Sequence, residues 1–450
     1  MKKVLILAYD FPPYVSVGGL RPYSWYKHLK ESGIEPIVVT RQWDNKYANE
    51  LDYIAPSKSS ETLIEETKYG TILRTAYKAN LANRIMLKHG KNKYQLLRKI
   101  ISAYFELMQW FLLIGPKVNL FTKANKYLKN NNVDVIIATG DPFILFRYAS
   151  ILSKKYNTPW IADYRDPWIQ DKTLTANRFV KRLYAYFEKK YLKTSNSVIT
   201  VSTFVQKQIE SLLLDKEFYI IPNGYNNEAI SFSRNSIQNN SVFSIAFTGT
   251  IYKWHPIKLF FQTLSQLIKE NNIIFNINFY GINNDNEIRK LLEDISPNIV
   301  PFVNFTKKLS DKELFREMGK NNLFLLFNDY SILGTKIYNY LAVKRKILLC
   351  FSNDKNANNL KKEFYGIKEL SSESQHLQED LIINTNSGII VNDQNHLIEA
   401  LKNLHKEFKT KGYIECNSEN IEQFSRKRQV ERLAKIINSF EQESTSCDKN

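Results

Sequence analysis

ILAYDFPPYVSVGGLRPYSW, residues 6–25, is the stretch on which the fold turns. The apolar run from Val4 to Tyr9 has strand length, and from Arg21 onward Tyr23, Trp25, Tyr26 and Leu29 recur at helical spacing. Between them, Pro12 and Pro13 cannot donate to a sheet ladder, and Gly18 and Gly19 admit backbone angles closed to other residues. A loop of this kind at the carboxyl end of a buried strand sits where open α/β sheets bind ligands. Its glycines would let N–H groups approach a phosphate near the following helix N-terminus. The spacing is not that of the G-x-G-x-x-G dinucleotide fingerprint, and an ordinary strand-to-helix connection reads the same way locally.

Strand-length apolar runs alternate with helical stretches twice over. The first set is VLILAY, EPIVVT, TILRTAY, DVIIATG, PWIADYRD, NSVITVS and FYIIPNG; the second is FSIAFTG, IIFNINFYG, NIVPFVNF, NLFLLFN, KILLCFS and SGIIVND. Continuous apolar strands separated by helices mean parallel sheets covered on both faces, so the expected fold is α/β with two doubly wound, Rossmann-like domains. The Pro-Asn-Gly turn in IIPNGYN (220–226), followed by a polar segment, places the boundary. The expected division is a first domain over 1–225, a second over 226–420, a terminal helix over 421–440 able to pack back on the first domain, and a frayed tail over 441–450. That helix carries Ile421, Phe424, Val430, Leu433, Ile436 and Ile437 as one apolar stripe. Residues 42–70, rich in Asp, Ser and Glu, read as a surface excursion.

The chain has 450 residues, 43% hydrophobic and 13% aromatic, which excludes disorder as the default state and calls for more than one core. Cys350, Cys416 and Cys447 are odd in number and widely spaced, against a disulfide framework or zinc site and for a reducing compartment. The lysine-flanked start MKKVLILAYDFPP is too short in its apolar part for a signal peptide, and LMQWFLLIG is half a membrane span. A cytoplasmic protein is expected, peripheral on the inner face of the cell membrane. The formal charge of +18 calls for an anionic partner. Between Arg84 and Lys129 ten cationic residues face only Glu106, interleaved with Tyr94, Leu97, Ile101, Tyr104, Phe105, Trp110, Phe111 and Leu112. This pattern suits contact with an anionic membrane surface through residues 84–129; a core-facing helix pair with a solvated basic back would also produce it.

Two doubly wound domains, a glycine loop after the first strand, an IPNG boundary and a lysine-bearing helix late in the second domain together resemble the retaining GT-B glycosyltransferases. The likeness is to the "glycosyl transferases group 1" family of bacterial polysaccharide assembly, and it spans the chain to about Ser439. It implies two domains facing a cleft and transfer of a sugar from a nucleotide-sugar donor to a glycan or polyprenyl-linked acceptor, with retention. It assigns Gly18 and Gly19 to donor binding, in the loop reaching across the cleft toward the donor diphosphate and the acceptor. FTGTIYKWHP matches the first strand and loop of the donor domain, placing Gly249 and Thr250 near the phosphates with Lys253 nearby. GTKIYNYLAVKRKILL (334–349) matches the segment in which Gly334 and Thr335 offer N–H groups and Lys336 a point charge to the diphosphate. IADYRDPW (161–168) resembles a stretch on the acceptor side, making Asp163, Arg165 and Asp166 the candidate catalytic residues. A structural ion network would use the same three. Where many members carry two glutamates, this chain has Ser331 and Asn339, the latter suited to a ribose hydroxyl.

No Asp-x-Asp closes a strand and the six histidines show no ligand spacing, so neither a metal nor another cofactor is expected. No RNP, helix-turn-helix or zinc-finger signature supports nucleic acid as a partner. Two other readings stay open: a nucleotide-sugar epimerase of the same architecture, for which the second domain offers no evident carboxylate and histidine set, and a non-catalytic glycan- or nucleic-acid-binding scaffold.

Overall fold

Strand β1 (Lys2–Leu7) pairs in parallel with β2 (Ile34–Arg41) on one side and β5 (Val135–Gly140) on the other. The structure, a computed structural model, describes residues 1–14, 16–44, 50–169, 178–210, 212, 216–233, 235–329, 333–353, 355, 359 and 376–440. The first sheet is completed by β3 (Leu63–Glu66), β4 (Thr71–Thr75), β6 (Trp160–Tyr164), β7 (Ser197–Thr200) and β8 (Glu217–Ile220). Its order is β3-β4-β2-β1-β5-β6-β7-β8. Every pairing is parallel except β3 with β4. Alternation along β1 sends Leu5 and Leu7 into one core cluster and Val4 and Ile6 into the other, so both faces are buried.

The segment 42–70 is more than a surface excursion, because it contains β3. LIEE offers neither an apolar run nor alternation, and three of its four residues are exposed. Arg74 fastens this edge by donating to both carboxylate oxygens of Glu65, at 2.6 and 3.0 Å.

The second sheet is parallel throughout: β9 (Phe243–Thr248), β10 (Phe275–Tyr280), β11 (Val303–Thr306), β12 (Leu323–Phe327), β13 (Lys346–Cys350) and β14 (Gly388–Val391), in the order β11-β10-β9-β12-β13-β14. The run NIVPFVNF is only half strand. Pro297 opens, and Pro301 lies within, a 3-10 turn over Pro297–Phe302 before β11 begins.

The chain divides into two compact units, one of Met1–Pro222 with the segment from Lys427 onward, the other Asn223–Arg426. The apolar stripe near the C-terminus is two features. Ile421 and Phe424 form a 3-10 turn in a core cluster of the second unit, whereas the helix Arg426–Ser439 packs Val430, Leu433, Ile436 and Ile437 beside Val4, Ile6 and Trp25 of the first. Lys2 Nζ donates to the carbonyls of Ile437 and Asn438 at 3.3 and 3.1 Å, and Lys427 pairs with Glu31 at 2.6 Å. The tail 441–450 lies outside the described residues.

Each sheet reverses its winding direction once, between β1 and β5 in the first unit and between β9 and β12 in the second. The carboxyl ends of strands flanking such a switch point are where open α/β sheets bind ligands.

Candidate functional site

In the second unit the chain leaving β9 turns at Gly249, whose φ of +72° lies in the left-handed region. An added Cβ would meet only Lys336 Cε, at 3.8 Å, so this glycine is required by backbone conformation rather than by space. The turn continues through Thr250 and the exposed Lys253, with Tyr252 and Trp254 stacked at 4.3 Å.

The helix Thr335–Val343 starts from Gly334, which is exposed and supplies no side-chain cap. The first-turn N–H groups therefore have no intrahelical acceptor and carry the positive end of the helix dipole. Lys336, half-buried in that turn, reaches toward the carboxyl end of β9. Its Nζ donates to the Thr250 carbonyl at 3.3 Å and lies 3.7 Å from the centre of the Phe247 ring. Loss of hydration pushes its ammonium down to about 7, against the pull of Asp329 in the other direction. Asn339 is half-buried on the same helix; Ser331 lies outside the described residues.

Asp329, just past β12, is the residue that the sequence reading missed. Trp254 Nε1 donates to its Oδ1 at 3.0 Å, His255 Nε2 lies 3.0 Å from the same oxygen, and its own N–H donates to Gln378 Oε1 at 2.6 Å. Because the Tyr252 N–H donates to His255 Nδ1 at 3.2 Å, the ring proton sits on Nε2 and points at the carboxylate. Burial alone would raise the Asp329 carboxyl, but the His255 and Trp254 hydrogen bonds and the Lys336 charge bring it below its ordinary value. The second unit thus does hold a carboxylate and histidine set, contrary to the sequence reading. His255 is buried, and both its ring nitrogens face partners within the protein. The available signal was position: Asn328 and Asp329 directly follow a wholly buried strand at the switch point.

In the first unit the helix Val17–His28 begins earlier than the apolar spacing indicates, so Gly18 and Gly19 lie in its first turn, and neither has a positive φ. Their value is closeness, not backbone freedom. A Cβ on Gly18 would strike the Arg165 guanidinium, and one on Gly19 would sit 3.4 Å from the Asp10 backbone. Ser16 caps the helix, its Oγ accepting from the Gly19 N–H at 3.0 Å and donating to Asp10 Oδ2 at 2.8 Å. Burial pushes the Asp10 carboxyl up; Ser16 and Arg165 oppose this. Arg165 spans the switch point, donating to the carbonyls of Gly140 and Asp141 at 2.7 and 3.0 Å. A guanidinium and a helix N-terminus thus meet at one place, an arrangement that favours an anion.

Asp163 is fully buried. One oxygen pairs with Arg21 at 2.9 Å and the other accepts from Thr139 Oγ1 at 2.7 Å, while Arg21 also donates to the Ile221 carbonyl at 2.6 Å. The structure therefore gives Asp163 the structural place, clamping the first helix onto the sheet, and leaves Asp166 as the exposed carboxylate of IADYRDPW.

Among the described residues, no three His, Cys, Asp or Glu side chains are placed to hold a metal ion.

Residues 23–229 match Glycosyltransferase Family 4. In structure the chain is similar to sucrose-phosphate synthase from Thermosynechococcus elongatus, with TM-score 0.62 and 14% identity, covering 98% of this chain and 99% of that one. A glycosyltransferase from Rickettsia africae gives TM-score 0.56 and 14% identity over 98% and 99% of the two chains. Anabaena HepE in complex with UDP-glucose gives 0.53 and 11% over 98% and 100%. These likenesses establish the two-domain GT-B fold. No curated protein sequence matches the chain significantly.

Proposed function

We propose that the chain, whose residues 23–229 match Glycosyltransferase Family 4, is a nucleotide-sugar-dependent glycosyltransferase and that its second unit seats the donor diphosphate at Gly249, Thr250, Gly334, Thr335 and Lys336. One observation carries this reading: an uncapped helix N-terminus and a poorly hydrated lysine converge at the switch point of the second sheet.

Breaking the anomeric C–O bond places negative charge on the leaving diphosphate. The Lys336 ammonium and the first-turn N–H groups of its helix are pre-arranged to receive that charge, which lowers the barrier without a metal. Asp329 keeps a negative charge close to Lys336 and so favours its protonated form. Asn339 faces the donor ribose, and Lys253 supplements the phosphate charge from the exposed turn. Anabaena HepE, solved with UDP-glucose, makes a uridine diphosphate sugar the first donor to try.

The first unit takes the acceptor, a glycan or polyprenyl-linked glycan for surface polysaccharide assembly. Gly18, Gly19 and Arg165 form its anion-receptive end, and Asp166 is the carboxylate assigned to accept the hydroxyl proton, with transfer proceeding with retention. Asp163 acts through Arg21 and Thr139 as a positioning residue. Within the basic segment 84–129, the part before Val118 holds the enzyme at an anionic membrane surface on the cytoplasmic side. Among the described residues no helix is long and apolar enough to cross a membrane.

The test is a thermal-shift screen against UDP, GDP, ADP, CMP and their sugar conjugates, with Lys336→Ala in parallel. A ligand-specific rise in Tm that the variant loses supports the donor seat. No rise with any nucleotide, together with a salt-dependent shift of DNA, would replace this reading with the scaffold.

A further inference from the structure

No side chain of the helix Gln95–Met108 is fully buried, and Ile101, Phe105 and Met108 on its inner side are half-buried. Leu96, Ile100, Tyr104, Leu107 and Phe111 follow one another at intervals of four, four, three and four residues, one face of a helix and its C-terminal turn. All five are exposed, Leu96 at 74% and Ile100 at 59%. The root of this face is firmly held. Trp110 is buried against Trp168 and Phe187, with ring centres 4.8 and 5.4 Å away, and Arg147 donates to the carbonyls of Phe111 and Leu112 at 3.0 Å each. The other half of the basic segment differs: the helix Val118–Asn130 buries Leu120, Phe121, Ala124 and Leu128, so Lys123, Lys126 and Lys129 form the solvated back of a core helix.

A cationic depression adjoins the neighbouring helix Leu81–His89. The helix Leu81–His89 packs on Gln95–Met108 and forms one wall of a cavity of about 650 Å³. Lys58, Lys78, Arg84 and Lys88 line it together with Leu87, and no acidic side chain does.

We propose that the helices Leu81–His89 and Gln95–Met108 dock this protein on an anionic bilayer, the apolar face entering the acyl boundary and the depression receiving a phosphate-bearing lipid head group. The charge pattern selects the occupant. Ten cations against Glu106 over residues 84–129, with Asp44 at Lys58 the acidic group hydrogen-bonded at the depression, leave a net positive surface beside apolar side chains that complements a negatively charged lipid surface, and a second copy would bring the same cations against one another. This rests on reading the segment as a membrane contact and is independent of the donor seat.

The experiment is flotation of the full chain with vesicles of phosphatidylcholine alone or mixed equally with phosphatidylglycerol. Expected are binding to the anionic vesicles at least ~10-fold tighter than to neutral ones and loss of ~10-fold or more in Ile100→Glu/Tyr104→Glu. Both positions are exposed, and an unchanged melting curve verifies the fold. Lys78→Glu/Arg84→Glu should weaken binding clearly more than Lys406→Glu/Lys409→Glu, the same charge change on the second unit. Absence of vesicle binding by the wild type, unchanged binding by the Ile100 variant, or equal effects of the two charge reversals would overturn the proposal. So would a lipid-free dimer that the Ile100 variant abolishes. A nucleotide-dependent rise in Tm retained by all these variants separates failure here from failure of the donor seat.

Discussion

Lys336 makes donor binding depend on pH in a direction opposite to that expected of an ordinary surface lysine, which stays charged to pH 10. In the empty site its ammonium is pushed down to about 7, while a bound diphosphate holds the proton on and raises it. The sign follows: the charged, binding-competent form is present below pH 7 and lost as pH rises through 7. Asp329, held below its ordinary value, stays ionised across this window. About half of the free protein carries the proton at pH 7 and about one part in a hundred at pH 9, so affinity for a nucleotide sugar should fall by about 50-fold between them. Titration calorimetry in two buffers of different ionisation heat reads the linked proton directly. Uptake should be near zero at pH 6 and approach one proton at pH 8.5. Lys336→Arg, whose guanidinium stays charged, should flatten the profile, and Lys336→Ala should bind weakly at every pH. Equal affinity at pH 7 and 9, or the same fall in the arginine variant, would refute the reasoning.

Three further outcomes are expected. Asp329→Asn removes the negative charge beside Lys336 and should shift the midpoint of the affinity profile to lower pH, weakening binding at pH 7 by ~3- to 10-fold; an unmoved midpoint would count against the coupling. Asp163→Ala leaves Arg21 buried without its partner and should cost about 3–5 kcal/mol in chemical denaturation; a variant of unchanged stability that loses only turnover would make Asp163 catalytic after all. Gly18→Ala should destabilise through the Arg165 clash and be partly rescued by adding Arg165→Ala, with a coupling of about 0.5–3 kcal/mol in a double-mutant cycle. Purely additive effects would mean that the two residues do not meet.

Strands buried on both faces were legible because burial leaves long apolar runs, as in VLIL of β1 and LFLLF of β12. β3 was not, since an edge strand with Leu63, Ile64 and Glu66 exposed has no face to mark. Periodicity joined Ile421 and Phe424 to Val430, although a break at Ser425 sends the two groups into cores of different units. Lys336 and Gly249 could be picked out as types in a motif. Gly18 could be picked out as a small residue, while the Arg165 guanidinium packed against it comes from far along the chain. Asp329 stayed hidden because its partners are tens of residues away: Trp254 and His255 meet it where β9 and β12 lie side by side, and Gln378 comes from the helix before β14.

The central claim is that a donor diphosphate sits on the second unit at Lys336, and a crystal structure of the protein soaked with the nucleotide that most raises its Tm tests this most directly. Phosphate density within hydrogen-bonding distance of Lys336 Nζ and the N–H groups of Thr335 and Lys336 is the expected result. Density elsewhere, with Lys336 still resting on Phe247 and Thr250, would contradict it.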